Sequence, residues 1–155
     1  MLSGLGAGAA MQAWQDALAA EQRAVFGYGL LGAHLHGSPQ LALAVTCSNE
    51  HEELRDETET SIATGGLTPV APAADYPDLY PVTTEAQAAT VAARIEDGCA
   101  AAWRYLYAAA ASTTDSRSHA LRTTAQTALT ASAVRATRWR KITDPSHATV
   151  AFPGL

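Results

Sequence analysis

The segment LTPVAPAADYPDLYPVT, residues 67–83, carries four prolines in 17 residues and decides how this chain is folded. Proline lacks a backbone donor and clashes with the preceding helical turn, so no regular helix passes through the segment. At ~3.3 Å per residue it can span roughly 55 Å, whereas a helix of about 26 residues is only about 39 Å long. The segment can therefore cross the full height of a helical bundle, and Tyr76 and Tyr80 favour an ordered strap lying on its surface.

Apolar and small residues recur at three- and four-residue steps on both sides of this segment, and this period predicts helices. Two helices precede the segment and two follow it. Only a few residues join each pair, so each pair is expected to be an antiparallel hairpin. The predicted fold is all-α, a four-helix bundle in a single domain, with a long Pro-rich crossover that leaves helix 3 parallel to helix 2. The domain spans 1–155, with helices at about 11–36, 39–64, 84–111 and 115–143 and a C-terminal tail at 144–155.

Two local signals indicate how the later elements are anchored. Thr84-Glu85-Ala86-Gln87 has the form of a capping box, in which the threonine and glutamine side chains bond to backbone amides at the helix start. The tail ends Ala-Phe-Pro-Gly-Leu, and Phe152 is expected to pack back onto the bundle.

The composition supports closely packed helices rather than a sheet. Hydrophobic residues make up 48% of the chain, largely as alanine, while aromatic residues make up only 6%. Alanine has the highest helix propensity and lets helix axes approach one another. Faces of small residues also suit the pairing of two bundles, so a homodimer is expected.

The charge balance limits the partners. A formal net charge of −5 argues against nucleic acid or an anionic membrane as a general partner. The first ten residues lack the basic region and apolar core of a signal peptide, so we expect a cytoplasmic location and no membrane span. Basic residues near the end of the last helix are interpreted as complementing the helix dipole, with a binding patch as the alternative. They are Arg135, Arg138, Arg140 and Lys141.

Several polar residues fall in the apolar register of the predicted helices. Glu21 lies on the inner stripe of helix 1, His51 on that of helix 2, and Ser132 and Arg135 on that of helix 4, while Glu96 flanks the stripe of helix 3. At ~1.5 Å per residue from the end where helices 1 and 2 meet, these groups lie at roughly 12–21 Å in the crossover topology. Buried charges need partners or a metal, so we expect one cluster at this level.

Inward carboxylates and histidines on a crossover bundle resemble the ferritin-like superfamily, whose di-metal members use two single glutamates and two Glu-x-x-His pairs. The stretch AAEQRAVFGYG at 19–29 is similar to the first ligand helix of such proteins. With His51-x-x-x-Arg55-Asp56, the Pro-rich strap and the Phe-Pro-Gly ending, the chain resembles an uncharacterised ferritin-like branch classed as a domain of unknown function.

The resemblance implies a degenerate di-iron site. Glu21 and Glu96 match the two single glutamates. Ser48-x-x-His51 and Ser132-x-x-Arg135 occupy the two paired positions, with serine for each glutamate and arginine for one histidine. The permanent charge of Arg135 then stands where a cation would sit, and we expect it to pair with Glu21 and Glu96 while His51 hydrogen-bonds one of them.

These observations lead to three hypotheses about the function. The first is a structural or interaction module with a buried network of Glu21, His51, Glu96 and Arg135 and no cofactor. The second is an oxidoreductase that binds iron or manganese at Glu21, His51 and Glu96. Glu50 and Glu53 of helix 2 are interpreted as part of a solvated acidic face, with the replacement of a lost carboxylate by one of them, if the helix rotates, as the alternative. The third is a small-ligand pocket beneath the strap, formed by Tyr76, Tyr80 and Arg135. No phosphate-binding glycine loop, nucleophile elbow or HExxH motif is present to indicate another class of enzyme. Whether the protein is an enzyme therefore depends on the metal hypothesis, which the sequence does not decide.

Overall fold

The computed structural model describes residues 2–155, so Met1 of the predicted domain lies outside the described residues. Four long helices account for most of this range, and no strand occurs within it, which confirms the prediction of an all-α four-helix bundle. The helices are α1 (Leu2–Gly32), α2 (Ser38–Thr64), α3 (Glu85–Ala110) and α4 (Ser116–Thr143). None of the helices within this range is long and apolar enough to cross a bilayer.

Helix α1 begins at Leu2, about nine residues before the predicted start near residue 11. The Gly-rich beginning of the chain has low intrinsic helix propensity, which is why the sequence pattern excluded it. Tertiary packing overrides this preference. Ala10 is 7% exposed, and a Cβ at Gly6 would come within 2.7 Å of Ser112 Oγ, so the early turns of α1 pack closely against the turn between α3 and α4.

Side-chain caps mark the starts of α3 and α4. Thr84 Oγ1 accepts a hydrogen bond from Gln87 N, as in a capping box, but the Gln87 side chain accepts from Thr83 N rather than bonding to the threonine cap itself. Asp115 caps α4 by accepting from Ser118 N at 2.9 Å. Each cap satisfies a donor that has no partner within its own helix.

The segment between α2 and α3 lies along α1. Gln15 exchanges side-chain hydrogen bonds with Thr68 O and Val70 N, and further along α1 the Phe26 ring packs 5.2 Å from Tyr76, between ring centroids. Leu79 is completely buried. Next to Leu79, the glycine at position 27 lets α1 lie close to Ile95 of α3, because a Cβ there would overlap the Ile95 side chain.

The two ends of this segment lie at opposite ends of α2. Gly65, just after α2, is next to the Trp14 ring, whereas Gly37 N, just before α2, donates to Glu85 Oε1 at 3.1 Å. Helix α3 therefore starts at the same end of the molecule as α2. The segment therefore runs from the end of α2 back to the level of its start.

The tail is anchored differently from the prediction. Phe152 does not pack onto the bundle and is 67% exposed. The tail is held instead by its backbone: Arg104 Nη1 donates to Pro153 O at 3.1 Å, and Gly154, at φ +82°, lies so close to Ala100 O that a Cβ would come within 2.7 Å of it. A positive φ and this close approach both require glycine.

Candidate functional site

One polar residue from each long helix meets in the centre of the bundle. Glu21 lies on α1, His51 on α2, Glu96 on α3 and Arg135 on α4. Glu21, His51 and Glu96 are completely buried, and Arg135 is only 5% exposed. We refer to these four residues as the buried polar cluster. They are the four residues that the helical register brought to one level.

His51 forms the centre of the cluster by bridging the two glutamates. Its Nδ1 lies 2.5 Å from Glu21 Oε2, and its Nε2 lies 3.0 Å from Glu96 Oε1. A neutral imidazole carries one N–H and one lone pair, so it would point a lone pair at a carboxylate oxygen. An imidazolium donates from both nitrogens, and only this form satisfies both contacts with ionised glutamates. The sequence predicted a hydrogen bond from His51 to one of the glutamates, and the structure shows one to each.

Aromatic donors add a further hydrogen bond to each glutamate, on the second oxygen of Glu21 and on the oxygen of Glu96 that His51 also contacts. Trp103 Nε1 donates to Glu21 Oε1 at 2.7 Å, and Tyr28 OH donates to Glu96 Oε1 at 2.5 Å. Trp139 Nε1 in turn donates to Tyr28 OH at 2.9 Å. Tyr28 is thus both a buried core residue and a member of this chain of hydrogen bonds. These donors make the charged form of each carboxylate tolerable in a dry interior.

Arg135 pairs with Glu96 but not with Glu21. Its Nε donates to Glu96 Oε2 at 2.9 Å and its Nη2 to Ser132 Oγ at 3.1 Å, while its Nη1 reaches Glu50 Oε2 at 2.8 Å. The predicted pairing with Glu21 is wrong, because His51 and Trp103 already occupy the oxygens of that residue. Arg135 pairs instead with Glu50, whose side chain is 48% exposed and lies at the rim of the cluster.

The charges of the cluster balance each other and shift its pKa values. Burial by itself lowers the pKa of His51, but the hydrogen bonds to Glu21 and Glu96 and their charges outweigh it and raise this pKa to about 9. Burial raises the pKa of Glu96, but the hydrogen bond and charge of His51 and the charge of Arg135 outweigh it, so this pKa is lowered. At neutral pH His51 is therefore protonated and Glu96 ionised, with the permanent charge of Arg135 beside them.

The cluster is hydrogen-bonded to a residue that sequence reasoning missed. Trp103 lies two turns after Glu96 on the same face of α3, and this spacing is the signal that could have identified it. Ser132, at a glutamate position of the ferritin-like pattern, lies inside the cluster, whereas Ser48 is half-buried and bonds to Glu52. Of the two suggested replacement carboxylates, Glu50 contacts the cluster, while Glu53 is exposed and lines a surface cavity.

A metal ion would need unoccupied donor atoms close together. Donor atoms of Glu21, His51 and Cys99 lie within 4.8 Å of one another, the one such set among the described residues. This set contains Cys99 rather than Glu96, which differs from the predicted ligands. Burial and the neighbouring glutamate charges raise the pKa of Cys99 well above its usual value, so this thiol is a poor source of the thiolate that binds metals.

The third predicted site does not form. Tyr76 lines a cavity of about 390 Å³ between the strap, α1 and α2, but neither Tyr80 nor Arg135 lines it. Tyr80 is 46% exposed, and Arg135 faces Glu50 between α2 and α4. The expectation of one pocket joining these three residues is therefore wrong.

Comparison with known proteins identifies the family to which the chain belongs. The crystal structure of a conserved hypothetical protein, rv2844, from Mycobacterium tuberculosis is similar, with a TM-score of 0.77 and 32% sequence identity, covering 87% of this chain and 97% of that one. No curated protein matches the chain. A family model described as "Domain of unknown function (DUF4439)" matches residues 13–155. The chain therefore belongs to the DUF4439 family.

Proposed function

We propose that this protein is a ferritin-like bundle in which an internal salt-bridge network has replaced the metal centre, and that it serves as a structural or interaction module in the cytoplasm. The observation that carries the proposal is the contact of Arg135 Nε with Glu96 Oε2 at 2.9 Å. A guanidinium is permanently charged, so it repels a cation from the site and supplies the positive charge that a metal would otherwise bring.

The occupation of His51 supports the same proposal. Both of its ring nitrogens face glutamate oxygens, and a metal ligand must offer the lone pair of a neutral ring. An incoming ion would have to displace a proton from a group whose pKa is raised to about 9. It would also have to break the hydrogen bonds that fix Glu21 and Glu96.

The alternative is an iron- or manganese-binding oxidoreductase that uses Glu21, His51 and Glu96. The observation that favours a metal is the convergence within 4.8 Å of Glu21 and His51, which belong to this ligand set, with Cys99, which does not. Ferritin-like di-metal sites require several carboxylates to balance two cations. Here the two serines and Arg135 remove that negative charge, so the network is the better-supported function.

Metal binding separates the two functions. Protein stripped with a chelator and incubated with manganese(II), or with iron(II) without oxygen, is expected to retain no stoichiometric metal after gel filtration, as measured by elemental analysis. The triple variant Ser48→Glu/Ser132→Glu/Arg135→His contains both Glu-x-x-His pairs of the ferritin-like pattern and should bind manganese or iron. Stoichiometric metal in the wild type that is lost in Glu21→Ala would instead establish the oxidoreductase alternative.

We further propose that the module acts as a homodimer. Leu41 and Val45 lie one turn apart near the start of α2 and are 38% and 52% exposed, respectively, which provides an apolar contact on the outer surface. Light scattering is expected to give twice the chain mass, and Val45→Glu should return a folded monomer. A monomeric wild type at micromolar concentration would contradict this part of the proposal.

A further inference from the structure

A groove separate from the buried polar cluster lies where the tail crosses α4. It has a volume of about 550 Å³, which is within the range of small-molecule sites. Helix α4 contributes Leu129 and Val134 to its lining, and the tail contributes Val150 and Phe152. Three of these apolar side chains are largely exposed: Val134 at 46%, Val150 at 46% and Phe152 at 67%. The groove thus leaves a concave apolar surface in contact with water.

The charged residues of this groove are all basic. Arg104, Arg138 and Lys141 line it, and no aspartate or glutamate does. Arg104 has a structural task, because its Nη1 donates to Pro153 O and so holds the tail that forms one wall. This wall is anchored to the bundle rather than hanging free. The groove is therefore a built feature of the fold.

The basic residues at the end of α4 divide into two groups. Arg135 turns inward to Glu96, and Arg140 is paired with Asp97. Among residues 2–155, neither Arg138 nor Lys141 takes part in an ion pair. These two residues are three apart on the helix, so they are neighbours on its surface and repel each other. An anion placed between them would remove this repulsion and form charge-assisted hydrogen bonds.

We propose that this groove binds an amphiphilic organic carboxylate, with its anionic head at Arg138 and Lys141 and its hydrocarbon part against Val134 and Phe152. Burying the exposed apolar side chains supplies the favourable hydrophobic contribution. The two unpaired cations supply selectivity for the sign of the head group. The concave shape and the overall charge of −5 favour a single small molecule over a flat anionic membrane.

Calorimetric titration with dodecanoate, kept below its micelle concentration, tests this proposal. We expect one molecule to bind per chain and dodecyltrimethylammonium, which has the same tail with a cationic head, not to bind. The double variant Arg138→Gln/Lys141→Gln should weaken dodecanoate binding by about tenfold or more, because two charge-assisted contacts are lost. Phe152→Ala should weaken binding several-fold by removing apolar contact.

The matched control is Arg117→Gln, which removes an exposed positive charge in the first turn of α4, outside the groove. It should bind dodecanoate as the wild type does. Equal binding of both surfactants, or unchanged affinity in the double variant, would overturn the proposal. Binding to phosphatidylglycerol vesicles without binding of monomeric dodecanoate would also overturn it, in favour of a membrane surface.

Discussion

Replacing Arg135 with methionine is expected to lower the free energy of unfolding by about 3–5 kcal/mol, the usual cost of breaking a buried ion pair. Methionine has a similar length, so the main loss is electrostatic. Glu96 is completely buried and would lose the charge-assisted bond from Arg135 Nε, while Ser132 would lose the donor to its hydroxyl. Urea denaturation followed by circular dichroism measures the change.

Two further variants show whether the effect comes from the unpaired charge. Arg117→Met removes an exposed arginine of the same helix and should change stability by no more than about 0.5 kcal/mol. Adding Glu96→Gln to Arg135→Met neutralises the abandoned carboxylate, so the double variant should be more stable than additivity of the single variants allows. Strict additivity, or a loss below about 1 kcal/mol for Arg135→Met, would mean that the two side chains are not coupled.

The stability of the protein should fall as the pH rises from 6.5 to 9. The pKa of His51 is raised from 6.5 to about 9 in the folded protein, so its stabilising contribution is fully present below pH 6.5 and is lost as the pH rises through 9. A shift of this size corresponds to about 3 kcal/mol. Glu96 acts at the other end of the scale: its lowered pKa gives a contribution that is lost in acid.

His51→Gln isolates the effect of the imidazolium. Glutamine keeps a hydrogen-bonding side chain but cannot carry a positive charge, so the variant should be less stable than the wild type at pH 6 and should show a much flatter dependence between pH 6.5 and 9. The free energy of unfolding is measured by urea denaturation at each pH. A wild-type stability that is constant over this interval would show that His51 is not an imidazolium in the folded protein.

Much of the candidate site could be predicted because helical geometry is regular. A period of 3.6 residues placed Glu21, His51 and Arg135 on inner stripes, and the rise per residue placed them at similar heights. Glu96 only flanked its stripe, yet it is completely buried. The predicted and observed positions agree because a buried charge needs partners. A polar residue in an apolar register therefore indicates a polar neighbour on another helix.

The pairings within the site could not be predicted in the same way. Arg135 has a long side chain that can reach several carboxylates, and the choice of Glu50 over Glu21 depends on rotations of α2 and α4 that the sequence pattern does not contain. Trp103 also competes for Glu21. A shift of a single rotamer changes such a pairing, whereas it leaves the register of a helix unchanged.

By itself, the sequence determined the four helices, the long proline-rich connection and the four polar residues that are buried together, because these follow from local propensity and from periodicity. Only the tertiary structure decided that α1 extends back to Leu2, that Phe152 stays exposed while the tail backbone is anchored, and that His51 bridges two glutamates. These features depend on contacts between residues far apart in the chain, whose energies outweigh local preferences and are set only when the helices pack.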